Sequence, residues 1–448
     1  MMRFKKTIVV GTLVVIIGVS CFSKLSAESS KKTIQTNLST KTSNPIMEPK
    51  GEGFVILHLG DSHIQAGHLS GLIRQKLQSQ YGSLGRGWVS PYRVYGSNQP
   101  CDYNLQVSNP RNWTSYMLTK KESTEIVGPG GIIVKPRMKN YTMSITAKGN
   151  ESFDQVLVYR TGAAPHLIPQ GLSKNDYVLK PSLSDDVMVA DTVRFDNLRT
   201  SVTFAPDSAV TPSSAVGFGG FVLENTHRKK GIMYHEIGLN GAFMSQYLNE
   251  QFVHSMAMLH PQMVIVSLGS NESSGRAINR DSYYNTIDTF YKMIKHEMPD
   301  AQIIFTTPPP YFKSKSGRVG TRKVRGRKTK SGRRRTRRVP VYKRSSSVNS
   351  NVVDAADVIA QYCKEHNLVC VNLFDLMGGE EGGSEWLSDG LYARDKIHFS
   401  VEGYKKQGNL ILGELEKPVA RAYKDFTDPN ANLQANRITV SKNTSDKM

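Results

Sequence analysis

Cysteine is scarce in this sequence, and its spacing argues against a metal centre. The chain has four cysteines in 448 residues, and none is grouped with histidines at a spacing typical of a metal site. We therefore expect no metal and no cofactor. Cys363 and Cys370 flank a predicted helix end and the next strand, where they would either pair in an oxidising compartment or be buried as thiols. Cys101 has no obvious partner.

Acidic residues are absent from one long stretch, and this absence explains the basic character of the chain. The stretch from Lys313 to Arg344 holds sixteen Lys and Arg, so subtracting it from the net charge of +20 leaves +4. Its glycines, its proline and its lack of apolar periodicity predict a disordered loop. The loop is either a passive insertion or a tether to an anionic envelope polymer or membrane surface. We expect no nucleic-acid partner, because aromatic side chains are not interleaved through the charges.

The apolar stretch near the N-terminus, residues 7–21, is shorter than the roughly 20 residues that a membrane span needs. Three basic residues precede it, and small residues up to Ala27 follow it, as in a signal peptide over residues 1–27. Residues 28–50 would then be a linker. We expect export to the periplasm or cell envelope; secretion and lipid anchoring at Cys21 both stay open.

The most informative motif is a strand-like run at residues 54–59 that ends in Gly60-Asp61-Ser62-His63 and precedes a predicted helix over 69–77. This pattern presents one serine at the end of a strand. A serine nucleophile needs a histidine to accept its proton and a carboxylate to orient that histidine. Asp395 and His398 supply this pair far downstream. The G-x-S-x-G pattern of the α/β-hydrolases does not fit, because Ile64 stands where the second glycine belongs.

Two further segments end apolar runs and offer oxyanion donors: residues 238–241, ending in Gly241, and residues 268–271, ending in Asn271. Together with the serine and histidine segments, they resemble the four sequence blocks of the SGNH (GDSL-type) hydrolase superfamily. The resemblance implies Ser62, Asp395 and His398 as the catalytic triad. It also implies an oxyanion hole made by Ser62, Gly241 and Asn271. Glu272 departs from the pattern, since many members carry Asp there.

The order of elements predicts an α/β fold of SGNH type. We expect a flavodoxin-like parallel sheet with helices on both faces, formed by residues 51–100 and 231–420 and followed by a tail at 421–448. Between them, residues 101–230 show short alternating runs with no convincing helix, which predicts an inserted β-sandwich.

An SGNH domain with such an insertion resembles the bacterial peptidoglycan O-acetylesterases, in which the inserted module is similar to a carbohydrate-binding domain. The resemblance implies a serine esterase that removes O-acetyl groups from peptidoglycan or another acetylated polysaccharide, without a metal. Two alternatives stay open. One is a lipase or thioesterase of the same superfamily; the other is a polysaccharide-binding protein on a non-catalytic hydrolase scaffold.

Overall fold

The computed structural model describes residues 53–428, except 121–125, 150, 185, 209–210, 212, 276, 329–331 and 333. The predicted signal peptide, Cys21, the linker and most of the predicted tail lie outside the described residues. Along the described residues, no helix combines the length and the apolar character that a membrane crossing requires.

A five-stranded parallel sheet forms the centre of the hydrolase part. Its spatial order is β13-β1-β14-β15-β18, a 2-1-3-4-5 arrangement of the kind seen in flavodoxin-like folds. With labels numbered along the chain, the strands are β1 (Gly53–Gly60), β13 (Gly231–Gly238), β14 (Met263–Ser267), β15 (Gln302–Thr306) and β18 (Val369–Val371). Most side chains on both faces of these strands are apolar and buried, as expected of a sheet covered on both sides; His58, His235 and Glu236 are buried polar exceptions. The predicted fold class is confirmed.

Helices cover both faces of this sheet. Phe54 and Ile56 of β1 pack on the side of α2 and α9, whereas Leu57 and Leu59 face the side of α4, α5 and α6. Asparagine side chains cap α4, α5 and α6 at their N-termini. The helices are α1 (Ser62–Gln65), α2 (Leu69–Tyr81), α3 (Tyr92–Tyr95), α4 (Glu250–Ala257), α5 (Arg280–Glu297), α6 (Ser350–Glu365), α7 (Leu373–Leu376), α8 (Gly379–Ser388) and α9 (Val401–Thr427). Short 3₁₀ turns lie at Pro110–Asn112, Met244–Tyr247 and Glu272–Ser274.

The chain between β1 and β13 forms two antiparallel sheets that share one core. Phe204 of one sheet stacks on Phe221 of the other, with ring centroids 6.0 Å apart. The larger sheet contains β2 (Gly87–Val89), β4 (Trp113–Met117), β5 (Ile132–Pro136), β7 (Phe153–Thr161), β9 (Tyr177–Lys180), β10 (Met188–Arg199) and β12 (Phe218–Glu224). The smaller one contains β3 (Tyr103–Val107), β6 (Met143–Ala147), β8 (Leu167–Pro169) and β11 (Ser201–Pro206). β2, which precedes residue 101, therefore belongs to this sandwich as well.

A buried cluster of charges fastens the sandwich to the parallel sheet. Arg74 of α2 donates to Glu236 of β13 at 3.0 Å and to Asp102, just before β3, at 2.8 Å. Arg86 also donates to Asp102, at 3.1 Å. Both guanidinium groups are fully buried, so each needs these carboxylates to offset the loss of water.

The basic segment that we predicted as a disordered loop is an antiparallel ribbon, so that prediction was wrong. β16 (Phe312–Lys328) pairs with β17 (Arg334–Val348), from Phe312 opposite Val348 to Lys328 opposite Arg334. The prediction weighed composition alone. A ribbon satisfies its backbone through cross-strand hydrogen bonds whatever the side-chain charge, and long basic side chains can extend into water.

The three described cysteines are free thiols. Cys363 of α6 is buried and hydrogen-bonded to Cys370 of β18, whereas Cys101 is exposed. Of the two possibilities that the sequence left open, the structure shows free thiols, Cys363 buried and Cys370 half-buried, with no disulfide between them.

Candidate active site

Ser62 lies where the central strand β1 passes into the short helix α1. Asp61 is the N-cap of this helix, and its Oδ1 accepts a hydrogen bond from the N–H of His63 at 2.9 Å. Gly60 allows the sharp turn, because a Cβ there would lie 2.2 Å from Cγ1 of Ile64. The absence of a side chain lets α1 fold closely against the strand. The half-buried Ser62 is thereby presented at the carboxyl end of β1.

Ser62, His398 and Asp395 form a continuous chain of hydrogen bonds. Oγ of Ser62 lies 2.8 Å from Nε2 of His398, and Nδ1 of His398 lies 2.7 Å from Oδ2 of Asp395. The other carboxylate oxygen, Oδ1, accepts the N–H groups of Ile397 and His398 at 2.9 and 3.0 Å. This is the hydrogen-bond order of a serine nucleophile, its base and the group that orients the base.

The carboxylate of Asp395 is held in its ionised form. Partial burial acts to raise its pKa, but the hydrogen bonds from the His398 ring and from two backbone N–H groups outweigh this effect and lower the pKa below its ordinary value. The Asp395 side chain is nevertheless 48% exposed and that of His398 38% exposed. Both groups therefore remain within reach of water and substrate.

The loop that carries this pair is fixed to the base of the basic ribbon. The N–H of Phe312 donates to the carbonyl of Lys396 at 2.9 Å, and Nζ of Lys396 donates to Oγ of Ser346 at 3.0 Å. Lys396 adopts a φ of +59°, which non-glycine residues seldom adopt. The hydrogen bonds to the ribbon hold this unusual conformation between Asp395 and His398.

Ser62 and Gly241 are the two predicted oxyanion donors that would act through backbone N–H groups. Neither donates to an acceptor in the described part of the chain. Gly241 lies in an exposed turn after β13 with a φ of +72°, which favours glycine. Because unpaired N–H groups at such a position can bind a developing negative charge, they suit a tetrahedral oxyanion.

Asn271, the third predicted oxyanion donor, is already occupied. Its Nδ2 donates to Oδ2 of Asp61 at 3.1 Å and to the carbonyl of Ala242 at 3.0 Å. An amide nitrogen has two hydrogens, so both are used. In this structure Asn271 joins the nucleophile turn to the Gly241 turn, and its direct contact with an oxyanion stays a prediction.

A second set of polar side chains positions the Gly241 turn, and the sequence did not reveal it. Gln65 accepts the N–H of Asn240 at 2.7 Å and donates to Oγ of Ser97 at 2.7 Å. Nδ2 of Asn240 also donates to Ser97, at 2.9 Å. Gln65 lies three residues after Ser62, one helical turn on, and Asn240 precedes Gly241. In the sequence, these two residues are marked only by their position close to Ser62 and Gly241 in the family's sequence blocks.

Glu272 also supports the oxyanion turn. Its Oε1 accepts the N–H of Met244, whereas its Oε2 is buried without a hydrogen-bond partner in the described residues. Burial raises the pKa of this carboxyl to about 7, and the neighbouring charge of Asp61 adds to the effect. The sequence marked Glu272 only as a departure from the family pattern.

Two other histidines near the nucleophile, His58 and His63, are buried, and Nε2 of His63 has no hydrogen-bond partner among the described residues. His58 lies in β1 between the hydroxyls of Tyr234 and Ser267, at 2.6 and 2.7 Å, and burial lowers its pKa to about 3. Nδ1 of His63 lies 3.1 Å from the hydroxyl of Tyr404. In the described residues, no group of three or more His, Cys, Asp and Glu side chains is placed to hold a metal ion.

The space behind the nucleophile turn is small. A cavity of about 20 Å³ lies between Asp61, His63 and the strand ends at Ser267 and Thr306. This volume is close to that of a single water molecule. A much larger cavity, about 990 Å³, borders Arg74, Asp102 and Glu151 and contains none of the three triad residues.

Comparison with known families gives one match, over residues 201–406, to the GDSL-like Lipase/Acylhydrolase family. This segment contains Gly241, Asn271, Asp395 and His398 and begins after Ser62. No curated protein matches the sequence at a significant level.

Solved structures give a broader match. A peptidoglycan O-acetylesterase structure is 22% identical, with a TM-score of 0.63, and the alignment covers 83% of this chain and 93% of that one. A lipase/acylhydrolase from Enterococcus faecalis is 18% identical, with a TM-score of 0.28, and covers 42% of this chain and 77% of its own. The first match shows that the two proteins share a fold over most of their length.

Proposed function

We propose that this chain, which carries a GDSL-like lipase/acylhydrolase domain, is a serine esterase that removes O-acetyl groups from peptidoglycan or another cell-envelope polysaccharide. The observation that supports this most is the hydrogen-bonded chain Ser62–His398–Asp395. The shared fold with a peptidoglycan O-acetylesterase makes an acetylated polysaccharide the first substrate to test.

In the proposed reaction, Oγ of Ser62 attacks the acetyl carbonyl while Nε2 of His398 accepts the hydroxyl proton. Asp395 stabilises the imidazolium, and the N–H groups of Ser62 and Gly241 bind the oxyanion. His398 then returns the proton to the departing sugar hydroxyl, which leaves an acetyl-Ser62 intermediate. Water, activated by His398, attacks this ester and releases acetate with the free serine.

The alternatives fit less well. A lipase or long-chain thioesterase needs an apolar groove for the alkyl chain near the nucleophile, whereas the turns beside Ser62 carry the small or polar residues Asn240, Gly241 and Asn271. A non-catalytic binding scaffold would have no need of an aligned triad. The predicted carbohydrate-binding role of the inserted sandwich stays a prediction.

The test compares acetate release from O-acetylated peptidoglycan and acetylated xylan with hydrolysis of p-nitrophenyl octanoate. We expect acetate release that Ser62→Ala abolishes and that Ser79→Ala, an exposed serine in α2, leaves unchanged. Faster hydrolysis of octanoate than of either acetylated polymer would favour the lipase alternative. Binding of polymer with no turnover of any ester would favour the non-catalytic one.

Action on an envelope polysaccharide also requires export, which the predicted signal peptide at residues 1–27 would provide. Cell fractionation of the full chain, with a variant in which Arg3, Lys5 and Lys6 are replaced by Asp, tests this part. Full-chain protein that stays in the cytoplasm would contradict the proposed location.

A further inference from the structure

The ribbon β16–β17 is a long exposed polycation. Seventeen residues in β16 span roughly 55 Å at the usual strand rise. Its described Lys and Arg side chains are exposed, and none has an ion pair among the described residues. Successive basic residues, such as Arg322 and Lys323 or Arg337 and Arg338, point to opposite faces, so both faces of the ribbon are basic.

This ribbon lacks the usual sources of stability for a hairpin. Among the described residues of its two strands, Phe312 at the base is the buried one, and an isolated two-stranded hairpin is marginally stable in water. Lys323 lies directly opposite Arg338. Like charges at such positions repel each other. An anionic ligand along the ribbon would remove this repulsion and stabilise the paired strands.

The base of the ribbon lies beside the catalytic loop. Phe312 and Ser346 hydrogen-bond to Lys396, between Asp395 and His398. Lys313 reaches the carbonyl of Gly275, in the loop after Asn271, at 2.8 Å. A polymer lying along the ribbon toward its base would therefore approach Ser62.

We propose that the ribbon binds a linear anionic polysaccharide and leads it toward the active site. Ten of the sixteen basic residues from 313 to 344 are Arg, whose planar group bonds carboxylate and phosphate in bidentate fashion. A membrane surface would engage only one of the two basic faces. Nucleic acid would be expected to meet several aromatic platforms, and the exposed part of the ribbon offers only Tyr342. The choice of a polysaccharide rests on the proposed function.

The test measures binding of full-chain protein carrying Ser62→Ala, so that loss of esterase activity cannot affect the result. The probes are polygalacturonate for carboxylate, dextran sulfate for a second anion and neutral dextran. The ribbon variant changes six exposed basic residues to Gln: Arg318, Arg322, Lys323, Arg325, Arg337 and Arg338. The matched control changes six exposed lysines elsewhere to Gln: Lys76, Lys139, Lys174, Lys180, Lys229 and Lys417.

We expect the ribbon variant to bind polygalacturonate at least about tenfold more weakly at 0.1 M salt, and the control variant to change by less than about twofold. Parent binding should vanish near 1 M salt, where the Debye length falls to about 3 Å. Binding of dextran sulfate but not polygalacturonate would restrict the ligand to strong acids and would overturn the carboxylate part of the proposal.

A second variant replaces residues 316–344 by a Gly/Ser linker and keeps Phe312, Lys313 and Ser346 at the base. It should lose polygalacturonate binding while its thermal midpoint stays near that of the parent. Equal binding by the parent and this variant overturns the proposal. The proposal is also overturned if the parent binds phosphatidylglycerol vesicles or duplex DNA more tightly than polygalacturonate at equal concentration of charge.

Discussion

The buried carboxyl of Glu272 gives a quantitative test of how the oxyanion turn is held. Its pKa is raised from 4.5 to about 7 by burial, with a further contribution from Asp61. Between about pH 4.5 and 7, Glu272 is therefore protonated in the folded state and ionised in the unfolded state. Its contribution to stability is present below pH 4.5 and is lost as pH rises toward 7. Replacing Glu272 by Gln should remove this loss.

The size of the effect follows from the shift. A rise from 4.5 to about 7 corresponds to about 3 kcal/mol between the two protonation states. Part of the Glu272 side chain reaches solvent, which lowers the expected gain at pH 8 to about 1–3 kcal/mol. The amide oxygen of Gln can still accept the N–H of Met244, so the turn that carries Gly241 should keep its shape.

The assay is thermal unfolding of the parent and Glu272→Gln from pH 4 to pH 8. We expect little difference at pH 4 and a higher midpoint for the variant at pH 8, with esterase activity retained. Glu385→Gln, an exposed position in α8, serves as the control and should show no such trend. A difference between Glu272→Gln and the parent that is the same at every pH would refute the reasoning.

Three further substitutions test the site and its support. Asp395→Asn should lower kcat by about 10²–10³-fold. This is less than the roughly 10⁴-fold loss typical of a buried triad aspartate, because the Asp395 side chain is half exposed. An unchanged kcat would contradict its role. Gly241→Ala should impose about 1–2 kcal/mol of backbone strain, because Gly241 has a φ of +72°. We expect kcat to fall about tenfold with little change in KM. The control Gly275→Ala, at a position with open space around it, should leave kcat and KM unchanged. Arg74→Met removes the guanidinium that pairs with the buried carboxylate of Glu236. The free energy of unfolding, measured in urea, should fall by about 3 kcal/mol. An unchanged urea midpoint would contradict this.

Much of the hydrolase part was predictable because its signals are local. The apolar run before Gly60, the glycine turn and the helix after Ser62 each depend on neighbours in sequence. Other boundaries shifted. The last helix, α9, extends to Thr427 and so enters the predicted tail at 421–448. The sequence predicted the sandwich as a whole but not the bounds of its strands, because a five-residue strand carries too little pattern to stand out.

Long-range pairing was decided only by the tertiary structure. Ser62 and His398 are 336 residues apart, and their contact depends on the order of parallel strands that brings both loops to one edge of the sheet. The occupied amide of Asn271 follows from the distance between two turns, which no motif specifies. The ribbon is a further case: its composition predicted disorder, whereas its structure depends on cross-strand hydrogen bonds that composition does not describe. Sequence therefore determined which residues have the required chemistry, and tertiary structure determined which of them meet, because contact between distant residues depends on packing.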